Sequence, residues 1–202
     1  MIDVPLWEEG DLEAASAESV ALDEAAAHLD ASAPARELPL FEVTVYGSPA
    51  PQGSKTAKRN RHTGRIHLVE SSARVRPWRG DVVEASTRAL PRGWQPLTGA
   101  LAAEMVFTLT RPPSHFGTGR NSGIVRPSAR PLPIGAPDLS KLARSTEDAL
   151  TTAGVYRDDA LVVEYRRLEK RYHTDHGRRA DVMAVAGCVI RLWRVEHERA
   201  DT

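Results

Sequence analysis

The chain has one cysteine, Cys188, which rules out an internal disulfide framework and fits a reducing compartment. Its longest apolar run, Val182 to Ile190 with a glycine included, is nine residues, whereas a membrane helix needs roughly 20. Nothing is therefore expected to span a bilayer. The amino terminus has no basic start followed by an apolar stretch, so no secretory signal is read and the cytoplasm is the expected location. Nucleophile-elbow, P-loop and Rossmann glycine patterns are also missing, so no small-molecule cofactor is expected. Aromatic residues make up only 5% of the chain, but 41% hydrophobic and 27% charged residues over 202 positions are those of a globular chain with enough length for a core. Net charge is absent as well: 27 basic residues balance 27 acidic ones. Taken whole, that balance argues against a polyanionic partner.

The balance is uneven along the chain. Residues 1–37 hold ten acids against one base, Arg36, so this stretch carries −9 and the remainder carries +9. Its weak apolar spacing (Leu12, Ala15, Leu22, Ala26, Leu29) and its charge read as an acidic extension, partly disordered or weakly helical. Docked on a basic surface, such an extension would compete with a polyanion. Three segments are therefore expected: the extension at 1–38, a domain at 39–197 and a short tail at 198–202.

Phe41, Val43 and Val45 alternate with polar partners as in a half-buried strand. The turn-rich GSPAPQGS follows, then a hairpin around Thr63 and Gly64 leading to a strand at Ile66–Val69. An amphipathic helix is expected over Trp78–Leu90, with Val82, Val83 and Ala89 inward and Pro91 ending it. A long strand is expected over Ala100–Leu109. Residues 111–136 contain five prolines, four glycines, four arginines and no acid, a long loop of the kind that is usually functional. Ser140–Ala153 reads as a helix burying Leu142, Thr146, Ala149, Leu150 and Ala153, stopped by Gly154, with Ser140, Arg144, Glu147 and Asp148 toward solvent. Strands are expected at Asp159–Leu168 (Leu161, Val163 and Tyr165 on one side) and Val185–Val195. The sum is an α+β fold: a small mixed β-sheet with helices packed on it.

Chemistry concentrates in a few places. Asp138 precedes the second helix, and Asp158 and Asp159 open the strand after it. By spacing alone, acids at a helix start and a strand start read as a cap and a turn. The window Lys55–Arg79 holds eight bases, among them Lys55, Lys58, Arg59, Arg61 and Arg65, and one acid, Glu70. With Arg120 and Arg126 of the long loop and a second cluster at Arg166, Arg167, Lys170 and Arg171, it suggests phosphate contact. His173, His176 and Cys188 fall short of any established zinc-ligand spacing. Trp78, Trp94 and Trp193 read as packing residues rather than base-stacking platforms.

The stretch PDLSKLARSTEDALTTAGVYRDDALVVEYRRLEKR, Pro137–Arg171, resembles the signature of the RusA family of Holliday junction resolvases. That family carries Asp-x-Asp before a helix ending in Asp-Ala-Leu, then a glycine and an Asp-Asp-x-x-Val strand. The segments GSPAPQGSK and VESSARVRPWR and the Arg- and Pro-rich loop resemble its phage-type members, so the likeness spans about residues 40–195. It implies a homodimeric, magnesium-dependent endodeoxyribonuclease that cuts four-way DNA junctions in recombination and repair, with manganese able to substitute. Carried over, the catalytic and metal-holding acids are Asp138 and Asp159, and the helical base is Arg144, where the family commonly has lysine. The second acid of Asp-x-Asp falls on Ser140.

Magnesium commonly takes only one or two carboxylates, with water and substrate phosphate completing its shell. Asp138 and Asp159 therefore suffice in number, although a neutral serine weakens the set. Glu147 lies about 10 Å along the helix from Ser140, and Asp158 and Glu164 would face away from Asp159 in a regular strand, so none of the three replaces the missing acid. Arg144, one turn beyond Ser140, reads as a phosphate stabiliser or as the partner of Glu147 or Asp148 in an ion pair. The competing expectation is a junction-binding protein whose cleavage is impaired at Ser140.

Overall fold

The computed structural model describes residues 37–53, 55–59, 66–70 and 73–196. The acidic stretch up to Arg36, the positions Arg61, Thr63, Gly64 and Arg65 where a hairpin turn is expected, and the tail at 198–202 lie outside the described residues.

Alternation in FEVTVY becomes strand β1 (Phe41–Tyr46), with Phe41, Val43 and Val45 buried and Glu42, Thr44 and Tyr46 exposed. Strands β2 (Lys55–Arg59) and β3 (Ile66–Glu70) pair antiparallel in a two-stranded sheet of their own, as the hairpin signal predicts. Helix α1 runs over Val75–Ala89, three residues earlier at its start than the sequence suggests, and Leu90 turns extended just before Pro91. Val82 is buried and Val83 partly so, but Ala89 is exposed; Val75, Trp78 and Ser86 fill the inner face instead. The stripe therefore starts one turn earlier than the tryptophan.

Strand β4 (Leu101–Leu109) is buried at every position except the half-buried Glu104, so both of its faces are covered. It sits in a mixed sheet of order β1-β6-β4-β5 with β5 (Val162–Tyr172) and β6 (Gly187–Arg194). β6 pairs antiparallel with both β1 and β4, whereas β4 and β5 are parallel. Parallel neighbours require a crossover, and helix α2 (Leu139–Thr152) lies within it. Two helices against a mixed sheet make the fold α+β.

Helix α2 buries Leu142, Thr146, Ala149 and Leu150 and ends as its sequence directs. Gly154 adopts φ +75°, its N–H reaches the Thr151 carbonyl at 3.0 Å, and that of Val155 reaches Leu150 at 3.1 Å. This is a Schellman ending, which favours glycine at the left-handed position. Trp78 of α1 is fully buried, lies 6.5 Å from the Phe107 ring and donates from Nε1 to Thr146 Oγ1 at 3.1 Å, so one side chain joins both helices to the sheet. Arg79 pairs with Asp148 across the same helices. Among the described residues no helix is long and apolar enough to cross a membrane.

The other face of the sheet is held by charge. Arg167 pairs with Glu104, Glu169 and Asp181, Arg191 with Glu104, Asp181 and Glu42, and Arg171 with Glu169. Hydrogen bonds from Arg191, and then the charges of Arg191 and Arg167, hold Asp181 below the usual carboxylate range. Against its partial burial, Glu169 is likewise held down by Arg171 and Arg167. Arg167 and Arg171, two of the four bases in the expected second cluster, are thus engaged in ion pairs within the fold.

Candidate active site

The segment entering α2 is fastened to the edge strand. Lys170 Nζ of β5 donates to the carbonyls of Gly135 and Pro137, at 2.7 Å each. Asp138 follows as the residue before the first helical turn; its backbone carbonyl accepts from Leu142 N at 3.1 Å, but its side chain caps nothing. That carboxylate is exposed and pairs with Lys141 at 3.0 Å. Ser140, one residue into the helix, is exposed, as is Arg144 one turn further on. Arg144 makes no hydrogen bond or ion pair with a described residue, and its guanidinium is felt by Glu147, whose carboxyl it favours in the charged form. Of the two readings of Arg144, the ion pair with Asp148 is taken instead by Arg79.

The acidic doublet splits its duties. Asp158 accepts from Ala160 N at 2.9 Å and caps a short 3₁₀ turn, Asp159–Leu161. Asp159 therefore stands in that turn and not in the strand, which starts at Val162. Face-counting from Asp159 along a regular strand does not apply, because the capped turn intervenes.

Asp159 lies close enough to Glu147 for its charge to be felt there. Burial first, and Asp159 second, push the Glu147 carboxyl above its ordinary range; the hydrogen bond from Tyr165 and the charge of Arg144 oppose this. The Tyr165 hydroxyl donates to Glu147 Oε1. Tyr156 donates to the Glu147 backbone carbonyl at 3.1 Å. Burial, and then the Glu147 carboxylate, raise both phenols above the ordinary tyrosine value. Glu147 is thus half-buried in a cluster with Asp159, Arg144 and two tyrosines, and not on a plain solvent-facing side of the helix as its spacing suggests. Only the long-range return of the chain reveals this neighbourhood. Nine residues separate Asp138 from Glu147, about 13 Å along the helix axis, and Arg144 falls between them. Asp138 and Asp159 have different immediate partners. Among the described residues no three His, Cys, Asp or Glu side chains form a group able to hold a metal.

Lys55, Lys58 and Arg59 fall on β2, and Arg61 and Arg65 lie outside the described residues. Arg120, in the 3₁₀ turn Gly119–Asn121, and Arg126 are exposed and make no side-chain hydrogen bond or ion pair with a described residue. The loop carrying them has structure of its own. Gly117 N bonds Ile124 O and Arg126 N bonds His115 O, both at 2.9 Å, around a bridge between Phe116 and Val125. Cys188 is fully buried at the sheet centre, which pushes its thiol well up, and His173 accepts from Arg111 N. Trp78 and Trp193 are buried and Trp94 partly so, as expected of packing residues.

Asp138 enters helix α2, Arg144 is exposed one turn beyond Ser140, and Asp159 stands in the turn that follows the helix. The family described as endodeoxyribonuclease RusA matches residues 47–183. The chain therefore belongs to the RusA endodeoxyribonuclease family, and is a nuclease. No curated protein matches it.

Proposed function

We propose that the protein is a homodimeric, cytosolic endonuclease that resolves four-way DNA junctions by phosphodiester hydrolysis in recombination and repair. The observation that carries this reading is the match of residues 47–183 to an endodeoxyribonuclease family, within which Arg144 and Asp159 both lie near enough to Glu147 for their charges to be felt there.

Asp138 and Asp159 are the residues that would hold magnesium, or manganese in its place. Asp138 and Asp159 offer hard anionic oxygens, and the exposed Asp138 carboxylate has no capping duty. Magnesium bound through these two acids would supply charge neutralisation on a phosphate oxygen and an activated water. Arg144, exposed and without a hydrogen-bonded partner among the described residues, offers its planar donors to the scissile phosphate as negative charge develops. Glu147 is held by Tyr165 beside Asp159, where it orients that corner of the site. Lys55, Lys58, Arg59, Arg61, Arg65, Arg120 and Arg126 track flanking phosphates, giving affinity and register but not sequence readout.

The test is cleavage of a synthetic four-way junction with magnesium. Symmetric incision lost in Asp159→Asn, with junction binding retained, is the expected result; tight binding without cleavage in the parent protein sinks the enzymatic reading. That outcome belongs to the second reading, a junction-binding protein impaired in cleavage. It is favoured by Ser140, exposed and neutral where the family has a carboxylate.

A further inference from the structure

A cavity of about 410 Å³ opens beside the amino-terminal end of α2, its wall running through Pro133–Pro137 to the residue before Asp138. Three basic side chains from two segments line it: Arg74 before α1, and His115 and Arg130 from the long loop. No Asp or Glu is among the lining residues.

Beneath it lies Arg111, only 5% exposed. Its Nε donates to Thr174 Oγ1 at 2.9 Å, its Nη1 to the Arg130 carbonyl at 2.9 Å and its Nη2 to the Pro131 carbonyl at 3.3 Å. The guanidinium stacks on the Tyr172 ring at 4.1 Å, and Nη1 lies 3.4 Å from His115 Nδ1. Every one of these partners is neutral or basic. A buried cation ordinarily meets a carboxylate; here its donors are satisfied, yet its charge is balanced by no acid among them. Because two of the acceptors are the Arg130 and Pro131 carbonyls, the same guanidinium sets Arg130 at the cavity rim. Positive charge is thus collected around a space that has room for an anion.

We propose that this cavity is a phosphate site that receives a non-scissile phosphodiester of the DNA strand, one step from the phosphate cut near Asp138. The assignment to DNA rests on the nuclease reading above. Lys170, by holding the Gly135 and Pro137 carbonyls, keeps the cavity and Asp138 in fixed relation, so a phosphate seated here sets which bond reaches the acids. Arg74, His115 and Arg130 are then positioning residues for the strand.

The experiment uses the full chain and the double variant Arg74→Gln/Arg130→Gln. Both side chains are exposed and make no hydrogen bond or ion pair with described residues, so the fold is kept; circular dichroism verifies this. Junction binding is followed without divalent metal between 50 and 200 mM salt. The slope of log affinity against log salt should be shallower by about 1 in the variant, the loss of one phosphate contact. In parallel, inorganic phosphate at matched ionic strength should raise the melting temperature of the parent protein but not of the variant. Equal slopes together with equal phosphate responses overturn the site. A phosphate response confined to the parent, with equal slopes, overturns the DNA assignment in favour of free phosphate or a mononucleotide. If the parent does not bind junctions at all, the nuclease reading falls separately and the phosphate arm alone decides the cavity.

Discussion

The hydroxyl of Tyr165, on edge strand β5, donates its hydrogen bond to Glu147 on helix α2. One bond thereby joins the crossover helix to the strand it delivers, at the corner where Asp159 and Arg144 also meet. A half-buried glutamate beside a second acid is an electrostatic cost to the fold, and Tyr165 offsets part of it.

That cost has a sign in pH. Burial and Asp159 raise the Glu147 carboxyl above its unfolded value, so the folded chain holds this proton more tightly, and stability falls as pH climbs from about 4.3 through the raised value. Glu147→Gln keeps an acceptor for Tyr165 and removes the charge. Urea midpoints should coincide for parent and variant near pH 4, with the variant the more stable by pH 7. A parent that gains on the variant over that interval contradicts the assignment.

The buried bond from Trp78 to Thr146 offers a second test. Thr146→Val conserves shape but strands the indole N–H in a fully buried site. A loss of about 1–3 kcal/mol in unfolding free energy is expected, with no change in the slope against urea.

Arg79 lies in the basic window that reads as DNA-contacting, yet it pairs with Asp148 and reaches the Ser145 carbonyl at 3.4 Å. Arg79→Gln should therefore lower stability by about 1 kcal/mol while leaving the salt dependence of junction binding unchanged. A shallower salt slope would return Arg79 to the DNA-contacting set.

Ser140→Asp restores the carboxylate that the family pattern carries. The position is exposed in the first turn of α2, where a negative charge is favourable, so the fold tolerates it. At limiting magnesium the cleavage rate should rise about tenfold, or about 1.4 kcal/mol of barrier. An unchanged rate would mean that the site is complete without an acid at 140.

How far the sequence carries depends on whether the deciding contact is local. The alternation of Phe41, Val43 and Val45, the α2 stripe and its Gly154 stop all depend on neighbours within a few residues, and the structure follows them. The start of β5 does not: Asp158 captures Ala160 N and delays the strand to Val162, a competition between side chain and backbone that periodicity does not register. Arg167 and Arg171 look like free charge because two of their network's acids, Glu104 and Asp181, stand far away in the chain. Glu147 looks solvent-facing for the same reason: its neighbours Asp159 and Tyr165 arrive only after the chain reverses at Gly154.

The strand order has a consequence for how the protein is made. β1 and β4 each border β6 and not one another, so the sheet keeps an open slot until Gly187–Arg194 has emerged from the ribosome. Between Leu109 and Gly187 the ribosome works for several seconds at about 5–20 residues per second. During that wait β1 and β4 both lack the strand that pairs with each of them in the finished sheet.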